Sequence, residues 1–182
     1  SAGIESKEKK DIIADSILDW MDSDKNHRLN GAENDFYQNL TPPYFAKNAP
    51  IENLDELSKI RGIDEKILYG TNQRKGLINF FTTYNVKSVN PNTASPEILS
   101  IIFSESQAKS IIKKRGERGF YDNTTSDYFR IRSKGEVEGS PTNHTINTVV
   151  QKISEKEGPI ILTHYWNDNS FEKLYKKELT NN

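Results

Sequence analysis

The sequence has no cysteine and only one methionine among its 182 residues. Without cysteine there is no disulfide framework and no zinc site built from thiolates. Lysine and arginine number 25 against 26 aspartate and glutamate residues, so the net charge of −1 gives no electrostatic case for nucleic acid or an anionic membrane. No apolar run approaches the roughly 20 residues of a membrane span. The composition is typical of a soluble polar protein of one or two domains.

The motifs of common catalytic sites are absent as well. The sequence contains no G-x-S-x-G, no H-E-x-x-H and no glycine-rich phosphate-binding loop. No nucleophile accompanies His27, His144 or His164 in a recognisable motif. We therefore expect that the protein is not an enzyme.

The acidic loop, residues 22–33, reads D-S-D-K-N-H-R-L-N-G-A-E and has oxygen-bearing side chains at the spacing of a calcium loop. An EF-hand loop of twelve residues draws ligands from positions one, three, five, seven through its carbonyl, nine, and a bidentate glutamate at twelve. The residues at these positions are Asp22, Asp24, Asn26, Arg28, Asn30 and Glu33. This pattern predicts a Ca2+ site, which suits so many oxygens better than Mg2+ does.

The loop departs from an EF-hand at its sixth position. His27 stands where an EF-hand has the glycine of its sharp turn. Leu29, at position eight, is apolar in a polar run, and we expect it to pin the loop to a core. The alternative is a solvated turn of aspartate and asparagine that binds no ion. A single loop of this kind predicts a structural ion rather than a calcium switch.

Residues 4–123 are predicted to form a predominantly helical domain of the helix-hairpin-helix or SAM-like kind. A helix over residues 7–21 places Ile13, Ile17, Trp20 and Met21 on one apolar stripe. The sequence has further helix-start signals: Asn53 with Glu56, Ser95 before Pro96, and Ser104 with Gln107. Another helix is expected from Leu77 to about residue 84.

Beyond Asp122 the apolar period changes from about 3.6 to 2, which predicts an antiparallel β-meander over residues 124–168. Strands are expected at residues 128–133, 146–153 and 160–166, followed by a tail at 169–182. The meander is expected to bury one face, formed by Phe129, Ile131, Val149, Ile161 and Tyr165. The fold class is therefore α+β.

Five strings occur in a fixed order between residues 17 and 99. They are I-L-D-W-M-D-S-D, G-A-E-N-D-F-Y, P-P-Y-F-A-K-N-A-P, L-D-E-L-S-K-I-R-G and V-N-P-N-T-A-S-P-E-I-L. With Y-F-R-I-R-S-K-G and I-I-L-T-H-Y-W near the end, they resemble the type II secretion system protein K family, over about residues 17–166.

The resemblance implies a minor pseudopilin, a structural subunit at the tip of a short periplasmic pseudopilus. It implies other minor pseudopilins as partners, no catalysis, and a helical region inserted into a pilin-like α+β framework. In this family a membrane-inserted N-terminal helix precedes the D-W-x-D segment, so we expect a periplasmic chain whose inner-membrane anchor lies outside it. Acidic loops of the family bind metal ions, and Asp22, Asp24 and Glu33 match its D-x-D and G-A-E elements. The assignment of Asn26 and Asn30 rests on spacing alone.

The alternative function is nucleic-acid binding, because residues 89–120 resemble the helix-hairpin-helix of DNA-uptake receptors. Such hairpins bind a phosphate through backbone N–H groups exposed by glycines. The matching hairpin at residues 103–106 has no glycine and contains Glu105, and the hairpin at residues 61–64 ends in Asp64. Since both carboxylates repel a phosphate, we rank nucleic-acid binding second.

Overall fold

The computed structural model describes residues 4, 6–86, 88–136, 138–139, 143–155 and 158–168. The chain forms two compact units, Ser1–Asn85 and Val86–Asn182. Helices precede an antiparallel sheet along the chain, so the α+β class is confirmed. The predicted boundary at residue 123 stays a prediction, although the compact units divide at a different place. The tail at 169–182 lies outside the described residues.

Helix α1, Lys7–Met21, opens the first unit and has the bounds expected from its apolar period. The Ser6 side chain caps it by accepting a hydrogen bond from the Lys9 N–H. Ile13 and Trp20 are buried, and Ile17 packs against the same core. Met21 is 39% exposed, which contradicts its place in the stripe, because the helix ends there and the chain turns into the acidic loop.

The core of the first unit is built on three aromatic rings. Tyr37 has no exposed surface, and its ring contacts Trp20 edge-on and Tyr44 in a stack, each at 5.3 Å between centroids. Tyr37 and Tyr44 belong to residues 36–45, which follow the acidic loop and which we call the aromatic connection. This connection thus joins α1 to the remaining elements. The other buried apolar residues are Ile4, Ile13, Ala32, Ala46, Leu57, Ile60, Ile63, Ile67 and Leu68.

Short elements complete the first unit. They are α2 (Asn34–Tyr37), a 3-10 helix (Leu54–Lys59), α3 (Glu65–Tyr69), the hairpin strands β1 (Gly70–Thr71) and β2 (Arg74–Lys75), and a second 3-10 helix (Leu77–Asn79). The capping box of Asn53 and Glu56 is present as predicted, although the helix that it starts is a 3-10 helix. The helix expected from Leu77 to residue 84 is a single turn. The sequence shows no sign of this hairpin, because strands of two residues are too short to show an alternation of apolar and polar side chains.

In the second unit, α4 (Pro96–Ile102) and α5 (Glu105–Arg118) pack through Leu99, Ala108 and Ile111. Ser95 and Ser104 cap the two helices, as their spacing predicts. The apolar core between the helices is small. Ile101 and Ile102, at the end of α4, are both more than half exposed.

The sheet of the second unit consists of β3 (Tyr128–Glu136), β4 (Asn143–Glu155) and β5 (Gly158–Asn167), in the order β3-β4-β5. All pairs are antiparallel, and the strands are longer than expected. The predicted meander is therefore confirmed, and its strand lengths were underestimated because turn residues ended the predicted runs too early.

The expectation of a single buried apolar face on this sheet was wrong. Phe129 pairs with Val150, and Ile161 pairs with Lys152, so Phe129, Ile131 and Ile161 share one face, whereas Val149 and its partner Tyr165 share the other. A register shift between Val149 and Val150 breaks the simple alternation that the expectation assumed. Of the five residues only Val149 is buried, and the other four are between 43% and 57% exposed.

Within the part of the chain that the structure describes, no helix has the length and apolar character needed to cross a membrane.

Leu68 and Leu29 are a matched pair for testing this core, since Leu68 has no exposed surface and Leu29 is 95% exposed. We expect Leu68→Ala to lower the free energy of unfolding by about 2–5 kcal/mol, because it leaves a cavity in the first unit. Leu29→Ala should change it by less than about 0.5 kcal/mol. Urea unfolding followed by the fluorescence of the buried Trp20 measures both. A large loss from Leu29→Ala would contradict the exposed position of that side chain.

Candidate metal centre

Two carboxylates of helix α1 and the one at its C-cap, Asp22, which is also the first residue of the acidic loop, lie on one side of the helix. Asp15, Asp19 and Asp22 follow one another at intervals of four and three residues, which align on one helical face. Asp19 has no exposed surface at all. A carboxylate removed from water needs both a positive charge and hydrogen-bond donors, and the loop supplies them.

Arg28 is the main link between the loop and α1. Its Nη1 atom donates to Asp19 Oδ1 and to Asp22 Oδ2, both at 2.5 Å. Its backbone N–H donates to both oxygens of Asp19, at 3.3 and 3.1 Å. These hydrogen bonds raise the pKa of the guanidinium further above its ordinary value, with the bond to Asp22 contributing most and that to Asp19 next. Arg28 therefore carries its charge at every pH at which the protein folds.

Two further residues, Asp15 and Arg61, hold the second half of the loop in place. Asn30 donates to Asp15 Oδ2 from its backbone N, at 3.1 Å, and from its side-chain Nδ2, at 3.0 Å. The carbonyl of the next residue, Gly31, accepts a hydrogen bond of 2.9 Å from Arg61 Nη1. Arg61 also lies over the ring of Phe36, 4.9 Å from its centroid.

Gly31 is required by the close approach of Asp19. A Cβ atom added to Gly31 would lie 2.7 Å from Asp19 Cγ and would overlap Asp19 Oδ2. The glycine is thus needed for space, and the buried carboxylate decides its position.

Glu33 is the buried and unneutralised acid of this region. Its side chain is 2% exposed, and neither Oε1 nor Oε2 has a hydrogen-bond partner. Burial raises the pKa of Glu33 above its ordinary value, and the nearby Asp19, Asp22 and Asp24 raise it further. We call Asp19, Asp22, Asp24 and Glu33 the acidic cluster. A carboxylate buried in this way without a partner is costly, so Glu33 requires either a retained proton or a further positive charge beside it.

Two other buried oxygens near the loop lack partners. Asp22 Oδ1 is one of them, although the other oxygen of the same carboxylate is bonded to Arg28. Asn48 Oδ1 is the second, and Asn48 Nδ2 donates to the carbonyl of Asp24 at 3.1 Å. Asn48 has a φ of 49°, in the left-handed region.

The six predicted ligands are not equally placed. Asp22 and Glu33 have buried oxygens without partners, as a ligand would. Asp24 accepts a hydrogen bond from the backbone of Asn26 at 2.7 Å, and Asn30 is engaged with Asp15. The Arg28 carbonyl accepts the Gly31 N–H at 3.0 Å. Among the described residues, no group of three or more acidic, histidine or cysteine side chains is close enough to hold a metal ion.

The structure corrects one expectation about the loop and refines another. Leu29 does not pin the loop to a core, because its neighbours Arg28 and Asn30 face α1 and direct it into solvent. His27 keeps a negative φ, since Asn48 is the one non-glycine residue with positive φ in the described chain. The backbone thus reaches α1 without the sharp EF-hand turn at position six.

The donor chemistry of this region fits a hard divalent cation. The unpartnered buried atoms of Asp22, Glu33 and Asn48 are all oxygens, and Asp24 adds a further carboxylate. Ca2+ takes six to eight such oxygens in flexible geometry, whereas transition metals favour nitrogen and sulfur. The group that opposes this fit is Arg28, whose guanidinium already neutralises part of the acidic cluster.

The comparison with family models identifies the first part of the chain. Residues 1–70 match the model described as type II secretion system (T2SS), protein K. The first 70 residues are therefore similar to the type II secretion system protein K family. The matched residues include α1, the acidic loop and the aromatic connection, so the candidate metal centre lies within the matched part.

Curated relatives also match this chain. The type II secretion system protein K of Pectobacterium carotovorum subsp. carotovorum is 29% identical over 64% of this chain and 36% of its own length. The putative type II secretion system protein K of Escherichia coli K12 is 42% identical over 37% of this chain and 20% of its own length. The chain thus spans about a third or less of the curated relatives that it matches.

A solved structure has the same fold. A chain in the crystal structure of the GspK-GspI-GspJ complex from the enterotoxigenic Escherichia coli type 2 secretion system aligns with a TM-score of 0.55. The alignment covers 89% of this chain and 64% of that chain, at 16% identity. At this identity the likeness establishes the fold alone, and it agrees with the α+β class.

Three residues of this region escaped the ligand pattern. Asp15 and Asp19 lie before the loop, and their helical spacing with Asp22 is a signal that could have identified them. Asn48 lies 24 residues after Asp24, and only the folded chain brings the two together.

Gly31→Ala tests the approach of Asp19 to the loop. We expect it to lower the free energy of unfolding by about 1–3 kcal/mol, because the added methyl group overlaps a carboxylate that cannot move into solvent. Gly116→Ala is the control, since a Cβ there meets nothing within 4 Å and α5 should gain about 0.5–1 kcal/mol. Thermal unfolding of both variants measures the difference. Equal stability of the two variants would contradict the tight contact at Gly31.

Proposed function

We propose that this chain is part of a minor pseudopilin, a structural subunit of a type II secretion system that supports protein export without catalysis. The observation that carries the proposal is the match of residues 1–70 to protein K of this system. The fold likeness to a chain of the GspK-GspI-GspJ complex supports it independently over 89% of this chain. We further propose a periplasmic location and an inner-membrane anchor that lies outside this chain.

We propose that the partners are other minor pseudopilins, because the fold neighbour was crystallised with GspI and GspJ. We place such a contact on the sheet face carrying Phe129, Ile131, Ile161 and Trp166, which we call the apolar sheet face. These four side chains are 43–60% exposed. The opposite face carries Ile160, Leu162 and Tyr165, which are 42–43% exposed. An exposed apolar surface of this kind is typical of a protein–protein contact.

DNA binding is the weaker candidate. Ser104 and Gln107 satisfy the start of α5 by a capping box, and Glu105 lies in its first turn, paired with Lys109 at 2.6 Å. A phosphate would therefore meet a carboxylate where DNA-binding hairpins offer free N–H groups. Fluorescence anisotropy with duplex DNA at low salt tests this candidate, and micromolar, strongly salt-dependent binding would revive it.

We also propose that the acidic cluster binds Ca2+ as a structural ion, through Asp22, Asp24 and Glu33 with the backbone carbonyl of Arg28. Binding would draw these three carboxylates together, because in the described structure they are not close enough to hold an ion. Asn48 is our addition to the predicted set, because its Oδ1 is buried and unpartnered beside Asp24. Asn26 and Asn30 remain predicted ligands from spacing alone, and the contact of Asn30 with Asp15 uses its Nδ2 rather than the Oδ1 that would bind an ion. The ion would supply the positive charge that Glu33 lacks.

Glu33→Gln should have opposite effects on stability with and without calcium. In EDTA at neutral pH the variant should be more stable than the parent protein, because it removes a buried charge repelled by three aspartates. In calcium the parent should be the more stable, since a ligand at a hundredfold excess over its Kd adds about 2.7 kcal/mol. Differential scanning calorimetry in both buffers measures this reversal.

The pH dependence gives a control for the EDTA arm. The pKa of Glu33 is raised in the folded protein, so its ionisation weakens the fold as pH rises above the ordinary value of 4.5. The advantage of Glu33→Gln should therefore shrink as pH falls below that value. A melting curve of the parent that EDTA and calcium leave unchanged would refute the structural ion.

Ile161→Arg tests the apolar sheet face, and Leu162→Arg is its matched control on the opposite face of the same strand. The two side chains are 57% and 42% exposed, so neither substitution should unfold the sheet. We expect Ile161→Arg to weaken association with the I and J pseudopilins of the same system at least about tenfold, because it buries a charge in the contact. Analytical ultracentrifugation measures this. Loss of assembly from Leu162→Arg alone would place the contact on the other face.

A further inference from the structure

Arg28 supplies the positive charge bonded to the acidic cluster in the described structure. Its Nη1 contacts Asp19 Oδ1 and Asp22 Oδ2 and leaves Asp22 Oδ1 and both Glu33 oxygens without partners. The guanidinium thus contacts two of the four carboxylates of the acidic cluster, Asp19 and Asp22. The two most completely buried carboxylates, Asp19 and Glu33, differ in their hydrogen bonding. Asp19 is fully hydrogen-bonded, whereas Glu33 is not.

A divalent cation beside Glu33 would share Asp22 with Arg28. The two oxygens of Asp22 are divided between them, since Oδ2 accepts from Arg28 and Oδ1 is unpartnered. Two positive charges a few ångströms apart repel each other strongly at the reduced dielectric of a partly buried site. Binding of the ion is therefore opposed by the same side chain that stabilises the cluster without it.

We propose that Arg28 is an intramolecular counter-cation that competes with the divalent ion for the charge of the acidic cluster. The proposal rests on the calcium binding proposed above and adds how the affinity is set. Arg28 partly neutralises the ion-free protein, so the loop keeps its shape without calcium, at the expense of weaker binding. The ligand pattern considers only the backbone carbonyl of Arg28. On this proposal the charge of its side chain also sets the affinity for the ion.

The loop can lose this charge and keep its fold. The backbone N–H of Arg28 donates to Asp19 whatever side chain it carries. Asn30 still binds Asp15, and Arg61 still binds the carbonyl of Gly31. Arg28→Gln removes the charge and keeps a polar side chain with a hydrogen-bond donor, although a shorter one, and Arg28→Lys controls for the loss of the guanidinium with the charge retained.

The experiment compares calcium binding and stability of the parent with Arg28→Gln, Arg28→Lys and Arg61→Gln. We expect Arg28→Gln to bind calcium roughly tenfold more tightly in isothermal titration calorimetry, because the repelling charge is gone. In EDTA the same variant should melt at a lower temperature than the parent, and saturating calcium should reduce that difference. Arg28→Lys keeps the charge and should bind within about threefold of the parent.

Arg61→Gln is the matched control, because Arg61 also bonds to the loop but pairs with the Gly31 carbonyl and the Phe36 ring rather than with carboxylates. It should lower the melting temperature equally in EDTA and in calcium and leave the affinity for calcium unchanged.

Unchanged or weaker calcium binding by Arg28→Gln would overturn the competition and make Arg28 a residue that positions Asp22. If the parent and Arg28→Gln both fail to bind calcium, the ion proposal fails and the competition fails with it. If neither protein binds calcium and Arg28→Gln still melts at a lower temperature than the parent in EDTA, Arg28 is a purely structural counter-ion.

Discussion

The first unit depends on a carboxylate that has no access to solvent. Asp19 lies in the middle of the face of α1 that the acidic loop covers, and the loop must neutralise it where water cannot. The position of Arg28 and the absence of a side chain at Gly31 both follow from that requirement. Arg61 and the aromatic connection extend the same arrangement, because the Gly31 carbonyl and the Phe36 ring hold the Arg61 side chain. A single buried charge thus organises the loop, and the loop ties α1 to the core.

One part of the acidic cluster stabilises the fold, and the other part has the oxygens that we propose bind an ion. Asp19 is satisfied within the protein and contributes to the fold, whereas Glu33 and one oxygen of Asp22 are buried without partners. Natural proteins retain few such groups, and those that persist are often tied to a bound ion or another function. The incomplete half of the cluster is where we propose that an ion binds, whereas Asp19 in the complete half is hydrogen-bonded within the protein.

The first unit buries a charged side chain, whereas in the second unit apolar side chains remain in contact with water. Phe129, Ile131, Ile161 and Trp166 share one face of the sheet, and Leu99 is the large residue that closes the small core of α4 and α5. The sheet derives its order from long hydrogen-bonded strands, and its exposed face is free to meet another protein. This difference agrees with the assembly function that we propose.

Local patterns in the sequence determined the parts of the structure that depend on neighbours along the chain. The bounds of α1, the caps at Asn53, Ser95 and Ser104, and the existence of the meander follow from periods and spacings that a few residues specify. The ligand spacing also predicted Asp22 and Glu33 as ligands from the sequence alone. Only the tertiary structure decided which of the six ligand candidates has unpartnered oxygens, because contacts from α1 and from residue 48 arrive from far along the chain. Leu29 and the sheet residues show the same rule: their apolar character is local, but their exposure depends on what the rest of the protein places beside them.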